Sequence, residues 1–357
     1  MSCRSELQAG QVPESLRELP SLLEPWFEQN ARKLPWREGR SAYGCLVAEI
    51  MLQQTRIEAV REKYSRFTAA FPTLKDLASA DEAQVLKKWE GLGYYSRARN
   101  LHKAAKRCCE EFGGVLPSSY EQLKKLPGIG SYTAGAIASL CFDENVPAVD
   151  GNVLRVLSRY LADDRDVLGD GRKEEAGEWI VRLPKMHPGR FNEALMELGE
   201  TVCLPSSPDC GSCPLAGRCE AAKQGLTGVL PVRLARSGRR TEHLTALVFV
   251  SEDGTVGLEK RSAKGLLAGM YGFPLREGHL NEEELRKLPE LADVSCGIRP
   301  LGSYRHVFTH VEWLLEGFEI RCGRKIPGLV YARREEIDSE YAVPTAFRFY
   351  LNLLSEG

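Results

Sequence analysis

The sequence predicts a multidomain chain, an all-α domain followed by a smaller α+β domain. Three observations point there. The 357 residues exceed the roughly 100–200 typical of one domain. From residue 20 to about 200, apolar side chains recur every three to four positions, the period of amphipathic helices. After an arginine-rich stretch punctuated by proline and glycine, the pattern changes to short runs of β-branched and aromatic residues. The expected boundaries are 1–225 for the helical domain, 226–241 for a basic linker and 242–357 for the α+β domain. Hydrophobic residues at 43% and charged residues at 27% exclude fibrous and wholly disordered classes.

Helices are predicted over Ala42–Phe71, Asp81–Trp89, Ser96–Phe112, Tyr120–Leu126, Ser131–Cys141, Asn152–Leu161 and Phe191–Thr201. Pro72, Gly91, Gly93, Gly113, Gly114 and Pro117 separate the earlier ones. Pro231–Arg240, with four arginines and no acid, reads as a linker. Strands follow at Leu244–Ser251, Val256–Arg261 and Gly317–Arg321, bounded by Asp253-Gly254 and Cys322-Gly323 turn signals. Glu282–Lys287 and Thr345–Leu354 read as helices, the second with Pro344 at its first turn. No apolar run approaches the ~18–20 residues that span a bilayer, and Met1–Glu6 has no apolar signal core.

Three motifs carry chemistry. Leu126-Pro127-Gly128-Ile129-Gly130 lies between helical segments. It is either an ordinary helix–helix turn or a hairpin whose backbone N–H groups accept an anion at the next helix's N-terminus. Twenty-odd residues on, Val149-Asp150-Gly151-Asn152 precedes a helix. Asp150 is then an N-cap, or a carboxylate held ionised with a lowered pKa at the positive end of the helix dipole. Cys203-x6-Cys210-x2-Cys213-x5-Cys219 gathers four of eleven cysteines. A chain this long with an odd cysteine count argues against a disulfide framework. Four thiolates in one short loop suit a cubane iron–sulfur cluster, with zinc or redox thiols as alternatives; the other seven cysteines read as buried or incidental thiols. Finally, Glu49 sits among Leu46, Val47, Ile50, Met51 and Leu52, where a buried carboxyl has a raised pKa, unless it lies on a solvated stripe.

The hairpin followed by Asp150 resembles the helix-hairpin-helix DNA glycosylase superfamily, and the cysteine spacing matches the 4Fe–4S loop of its endonuclease III and adenine glycosylase branches. Glu49-Ile50-Met51-Leu52-Gln53-Gln54-Thr55, with Leu34-Pro35-Trp36-Arg37 and Gly91-Leu92-Gly93-Tyr94-Tyr95, resembles the adenine DNA glycosylase (MutY) family. That resemblance implies DNA repair by base excision, removing adenine mispaired with 8-oxoguanine or guanine in double-stranded DNA. It assigns Glu49 as acid and Asp150 as stabiliser or nucleophile, with Tyr132 and Asn152 positioning sugar, aspartate and water. Arg37 and Glu193 would line the adenine pocket. Gln54, Thr55, Leu92 and Tyr94 would contact the orphaned 8-oxoguanine, and Gly128 and Gly130 would grip a phosphate. Cys203, Cys210, Cys213 and Cys219 would hold the 4Fe–4S cluster, turning a loop with Arg218 towards DNA. Bifunctional relatives carry a Schiff-base lysine two residues after the hairpin glycine. Here Ser131 and Tyr132 stand there, and tyrosine cannot form the imine, so a monofunctional enzyme is expected. A thymine glycosylase for G·T mispairs is the alternative within the superfamily. A nucleotide pyrophosphatase and a non-enzymatic DNA sensor are the alternatives outside it.

Gly265–Pro274 resembles a Nudix domain, yet Glu282-Glu283-Glu284-Leu285-Arg286-Lys287 does not reproduce the carboxylate helix that holds magnesium on a diphosphate. A non-hydrolytic Nudix-like fold is expected. Its Phe308-Thr309-His310 resembles the family's 8-oxoguanine-reading loop, with threonine replacing the usual serine. The resemblance implies a monomer in the bacterial cytoplasm at the nucleoid, or in the nucleus or mitochondrion of a eukaryote. Formal charge is −1 for residues 1–225 and 0 for 226–357. That neutrality leaves room for a DNA partner, because phosphate binding needs only a local stripe. Arg97, Arg99, Lys103, Lys106 and Arg107 form one candidate stripe, with Asp163, Asp164, Asp166 and Asp170 on a face away from it.

Overall fold

A computed structural model describes residues 11–234, 239–262, 265–291, 296–308 and 310–354, with Cys296 described by its backbone alone. Thr309 and residues 235–238 of the expected linker lie outside the described residues. Two compact units emerge. One is Met1–Ser79 with Asn100–Ala235, and the other is Ala80–Arg99 with Arg236–Gly357. The second unit thus draws a segment from the middle of the helical stretch. Glu90 pairs with Arg348, Lys87 Nζ donates to the Tyr341 carbonyl at 3.4 Å, and Arg99 donates to the Ala268 carbonyl.

The helices in chain order are α1 Leu19–Asn30, α2 Ala42–Leu52, α3 Ile57–Ala70, α4 Leu74–Ser79, α5 Glu82–Lys88, α6 Ser96–Glu111, α7 Tyr120–Leu123, α8 Ser131–Phe142, α9 Gly151–Leu161, α10 Arg172–Arg182, α11 Pro188–Thr201 and α12 Glu220–Lys223. The single helix expected over Ala42–Phe71 is two, because Gln54 turns into the left-handed region (φ 57°) between α2 and α3. The sequence reading also missed α4 and α10. Ala176, Gly177, Trp179 and Ile180 give α10 its buried face, but the charged run before it masks that pattern.

Unit one is organised around α8, which is buried almost all round from Thr133 to Ser139, as expected of a helix without a polar face. Small residues let its neighbours approach: a Cβ on Gly135 would collide with the Pro147 carbonyl oxygen. The main cluster joins α1, α9, α10 and α11 through Leu19, Leu23, Val153, Leu157, Trp179, Phe191 and Leu195.

Unit two is built on a mixed sheet with strands β1 Arg240–Val250, β2 Val256–Lys260, β3 Tyr271–Gly272, β4 Leu275–Glu277, β5 Cys296–Val307, β6 Val311–Cys322 and β7 Val330–Ala332. Its order is β3-β2-β1-β6-β5, with β4 also on β1 and β7 on β2. β1 and β6 run parallel, pairing Arg240 with Val311 through to Val250 with Arg321. Alternation along β1 divides the core between two faces. Ala246, Val248 and Val250 face Phe347 and Tyr350 of helix α14 (Thr345–Leu351), while Leu247 and Phe249 face Leu285 of helix α13 (Glu282–Arg286). β6 is far longer than the expected Gly317–Arg321, since its polar positions alternate with Val311, Trp313 and Leu315. Cys322 is disulfide-bonded and pairs in register with Cys296, so it is not the incidental thiol the sequence suggested.

Candidate active site

Helix α2 starts at Ser41, whose Oγ accepts the Gly44 N–H at 3.0 Å, and every residue from Gly44 to Met51 is buried. Glu49 goes inside with them, at 8% exposure, which removes the solvated-stripe reading. It lines a cavity of about 500 Å³ with Trp36, Arg37, Tyr132, Glu193 and Glu197. Its Oε2 has no hydrogen-bond partner. Burial raises the Glu49 pKa to about 7. The Tyr132 hydrogen bond opposes that rise, and the negative charges of Glu193 and Asp150 add to it. The Tyr132 hydroxyl also lies 3.0 Å from Met196 Sδ.

Asp150 is the N-cap of α9. Its Oδ1 accepts the N–H groups of Asn152 (2.9 Å) and Val153 (2.8 Å), and its Oδ2 accepts Asn152 Nδ2 at 2.8 Å. The expected lowering of its pKa does not occur. Burial raises it, with the three N–H donors working against that rise, because losing water outweighs the helix terminus here. Asn152 is held in turn: Arg155 Nη2 donates to its Oδ1 (2.8 Å) and to the Gly199 carbonyl (2.7 Å). Gly199 is needed for this approach, since a Cβ there would lie 2.6 Å from Asn152 Cβ. The expected site residues Arg37, Glu49, Tyr132 and Glu193 therefore line one cavity, with Asp150 within electrostatic reach of Glu49.

Sequence reasoning missed the ionic lattice beneath this pocket. Arg37 Nε donates to Glu193 (2.7 Å) and its Nη2 to Glu197 (2.9 Å), while Arg40 Nη2 donates to both Glu193 oxygens at 2.8 Å. Arg32 donates to Glu197 through Nε (2.7 Å), Nη2 (2.8 Å) and its backbone N–H (2.9 Å). Despite its burial, hydrogen bonds from Arg32 and Arg37 hold Glu197 down at about 2. A signal existed: Glu193, Glu197 and Glu200 recur at i, i+4 and i+7 on α11, and such a like-charge stripe repels itself without cations opposite.

The hairpin turns at Gly128 (φ 77°), and Gly130 caps α8 without a side-chain hydrogen bond. Ile129 is buried while Gly128, Gly130 and Ser131 are exposed, so uncapped N–H groups of a twelve-residue helix face outward. Gln54 is exposed and Thr55 half-buried in the α2–α3 turn. Tyr94 is 46% exposed with φ 45°, whereas Leu92 is buried. Arg97 is not part of a surface stripe. It is buried, with Nη2 donating to the Leu92 (2.8 Å) and Gly93 (3.2 Å) carbonyls and its guanidinium over the Trp89 and Tyr94 rings. Arg99 pairs with Glu82 and Arg107 with Glu111. Asp163, expected on a face away from DNA, is buried between Arg165 (2.7 Å) and Arg172 (2.5 Å).

Cys203, Cys210, Cys213 and Cys219 all line one cavity, among whose other walls are Val156, Arg159, Leu198 and Asp209. Arg159, buried on α9, donates through Nη1 to Cys203 Sγ at 3.4 Å and to the Leu204 carbonyl at 2.6 Å. Among the described residues no three His, Cys, Asp or Glu side chains converge tightly enough for a single ion. Arg218, expected to face DNA, pairs with Glu18 at 2.6 Å. In unit two, Glu282 and Glu283 pair with Arg286 (2.6 Å) and Lys287 (2.7 Å), while Glu284 closes a capping box with Asn281. Phe308 packs edge-on to His306 (4.6 Å) and Trp313 (4.9 Å), and His310 is exposed.

The buried Glu49 carboxyl, with the N-capping Asp150 within electrostatic reach, sits in a chain of the base excision repair class. Residues 47–180 match the HhH-GPD superfamily of base excision DNA repair proteins, and residues 245–353 match the NUDIX domain. The chain also resembles solved structures. A thermostable thymine-DNA glycosylase superposes with TM-score 0.53 at 25% identity, covering 59% of this chain and 97% of that one. A trapped endonuclease III–DNA covalent intermediate gives TM-score 0.51 at 25% identity, with the same coverage. The adenine DNA glycosylase of Rattus norvegicus is 34% identical over 93% of this chain and 77% of its own length. The chain belongs to the adenine DNA glycosylase (MutY) family of base excision repair enzymes. No helix among the described residues is long and apolar enough to cross a membrane.

Proposed function

We propose that this enzyme hydrolyses the N-glycosidic bond of adenine mispaired with 8-oxoguanine, or with guanine, in double-stranded DNA, and leaves an abasic site. The observation that carries the reading is the Glu49 carboxyl, buried, raised to about 7 and with Oε2 unpartnered in the cavity. Adenine leaves readily only when N7 is protonated. Protonated Glu49 gives its proton to N7 as the C1′–N9 bond breaks. Asp150, supplied with three N–H donors, meets the oxocarbenium charge, and water completes the abasic sugar. The two carboxyls divide into acid and stabiliser because their surroundings differ. Asn152 and Tyr132 hold Asp150, sugar and water, while Arg37 and Glu193 bound the flipped base. Ser131 and Tyr132 offer no amine, so strand cleavage is not expected.

Undamaged adenine cannot be selected by its own chemistry, so selection falls to the opposite base and to the lower cost of extruding a mispaired nucleotide. Gln54, Thr55, Leu92 and Tyr94 contact the orphaned base. The Phe308-Thr309-His310 loop reads 8-oxoguanine, and Gly128 and Gly130 grip a phosphate through the bare N-terminus of α8. The enzyme acts as a monomer wherever the genome is housed. The test is base release from duplexes carrying adenine or thymine opposite 8-oxoguanine, followed by alkali cleavage. Adenine release with alkali-dependent nicking is expected, and release of thymine instead would replace this reading with the G·T one.

Cys203, Cys210, Cys213 and Cys219 suit a 4Fe–4S cluster. All four share one cavity, and four thiolates in one short loop are the donor set of a cubane cluster. When bound, the cluster supplies structure, fixing the loop that follows α11. Purified protein should contain iron and acid-labile sulfide in equal amounts and unfold when iron is chelated. Stoichiometric zinc instead would overturn the assignment.

A further inference from the structure

Two cysteines outside the cluster loop stand against the candidate pocket. Cys45 lies one turn before Glu49 on α2 and lines the same cavity, and Cys141 lies in the last turn of α8. Helices α2 and α8 pack together. Their register is set at one end by Gln53 Nε2 donating to Thr133 Oγ1 at 3.2 Å. Eight residues back from Gln53 is Cys45, and eight residues on from Thr133 is Cys141. On antiparallel helices both steps cover about 12 Å in the same direction. The two thiols meet there. Cys45 and Cys141 lie within electrostatic reach of each other, and both are free. Cys45 is buried against the pocket whereas Cys141 is half-buried, so Cys141 is the more open of the two to a reagent from solvent. Arg40 lies within electrostatic reach of both sulfurs. The Cys45 thiol, with Arg40, lowers the Cys141 pKa against its partial burial, and the Cys141 sulfur together with burial raises Cys45. One thiol is thus suited to attack and its neighbour to resolve.

We propose that Cys45 and Cys141 form a peroxide-oxidisable dithiol that closes to a disulfide and switches the adjacent pocket off. The Cys141 thiolate attacks a hydroperoxide, giving a sulfenic acid and an alcohol, or water from hydrogen peroxide. The Cys45 thiol then displaces that hydroxyl, forming the S–S bond and releasing water. Two thiols and one peroxide thereby become one disulfide and two hydroxyl products. The two sulfurs must close to about 2.05 Å. The close-packed interior transmits that shift along α2 to Glu49 one turn away. A displacement of about 1 Å at a reacting group costs on the order of a hundredfold in rate. The switch rests on the proposed role of Glu49, while the disulfide itself does not.

The test treats the full chain with hydrogen peroxide, then maps non-reduced peptides and measures single-turnover adenine release on the same samples. A linked Cys45–Cys141 peptide is expected, with release lowered at least about tenfold and restored by dithiothreitol. Cys141→Ser should keep basal release, form no link and resist peroxide. Cys45→Ala should also form no link, leaving Cys141 over-oxidised. Equal peroxide sensitivity in wild type and Cys141→Ser would overturn the switch, because the damage would then lie elsewhere. A linked peptide with unchanged release would overturn it too. Sulfinic acid at Cys141 without a link in the wild type would overturn the dithiol itself. If the chain releases no adenine at all, peptide mapping still decides whether the disulfide forms.

Discussion

Glu49→Gln lowers adenine release by about 10³-fold, within the 10²–10⁴ range of a lost general acid, while duplex affinity stays within about twofold. Glutamine keeps the shape of the side chain against Tyr132 but has no proton to give to N7. The pH dependence gives an independent check. The active form is protonated, and burial raises Glu49 to about 7, so single-turnover release should fall as pH rises through that value. Stability follows the same group. Between its unfolded value near 4.5 and about 7, the folded chain holds a proton that the unfolded chain has lost. Its contribution is therefore complete below the lower value and lost as pH rises through the upper one. Above pH 8 the variant, free of a buried charge, should be more stable than the wild type by on the order of 1–3 kcal/mol. Near-normal release by the variant, or a flat pH profile from 6 to 9, would remove Glu49 from the mechanism.

Asp150→Asn separates two jobs held by one side chain. The Asp150 Oδ1 accepts the Asn152 and Val153 N–H groups, and an asparagine oxygen can do the same, so stability should fall by only about 1 kcal/mol, the loss of the Oδ2 that accepts from Asn152 Nδ2. What disappears is the negative charge beside the sugar. Removing such preorganised stabilisation should lower release by about 10²–10³-fold. Asp150→Ala should lose the rate and also about 1–2 kcal/mol of stability, because the α9 cap goes with it. An asparagine variant with wild-type release would mean that Asp150 is a cap and nothing more. Stereochemistry probes the same residue. A transient bond between Asp150 and C1′ predicts that methanol traps the sugar with retained configuration, and an inverted product would exclude that bond.

The helical half, the strand-rich half and the buried Glu49 carboxyl were legible in the sequence because each is written in local order. Apolar spacing marked most of the helices, and Glu49 carried apolar neighbours on both sides. The break at Gln54 was not legible, since a single left-handed residue leaves no trace in periodicity. Helix α10 was hidden by the charged run before it, although Asp163 in that run is buried against Arg165 and Arg172. Arg97 misled in the opposite way. In a run of basic residues it reads as a phosphate contact, yet it is folded under the loop that carries Tyr94.

By itself the sequence determined the two architectures, the four-cysteine loop, the glycine hairpin and the pair of carboxylates. Each is a short-range pattern of residue type and spacing, and short-range patterns survive without a fold. Only the tertiary structure decided how those carboxylates differ. Enclosure leaves Glu49 Oε2 without a partner, and burial lifts Asp150 where its helix terminus alone would lower it. The tertiary structure also decided that Arg32, Arg37 and Arg40 meet glutamates more than 150 residues away, and that Cys45 faces Cys141 across two helices. The physical reason is common to all of these. A charge or a thiol takes its energy from what surrounds it in space, and chain order does not specify those surroundings until the helices have packed.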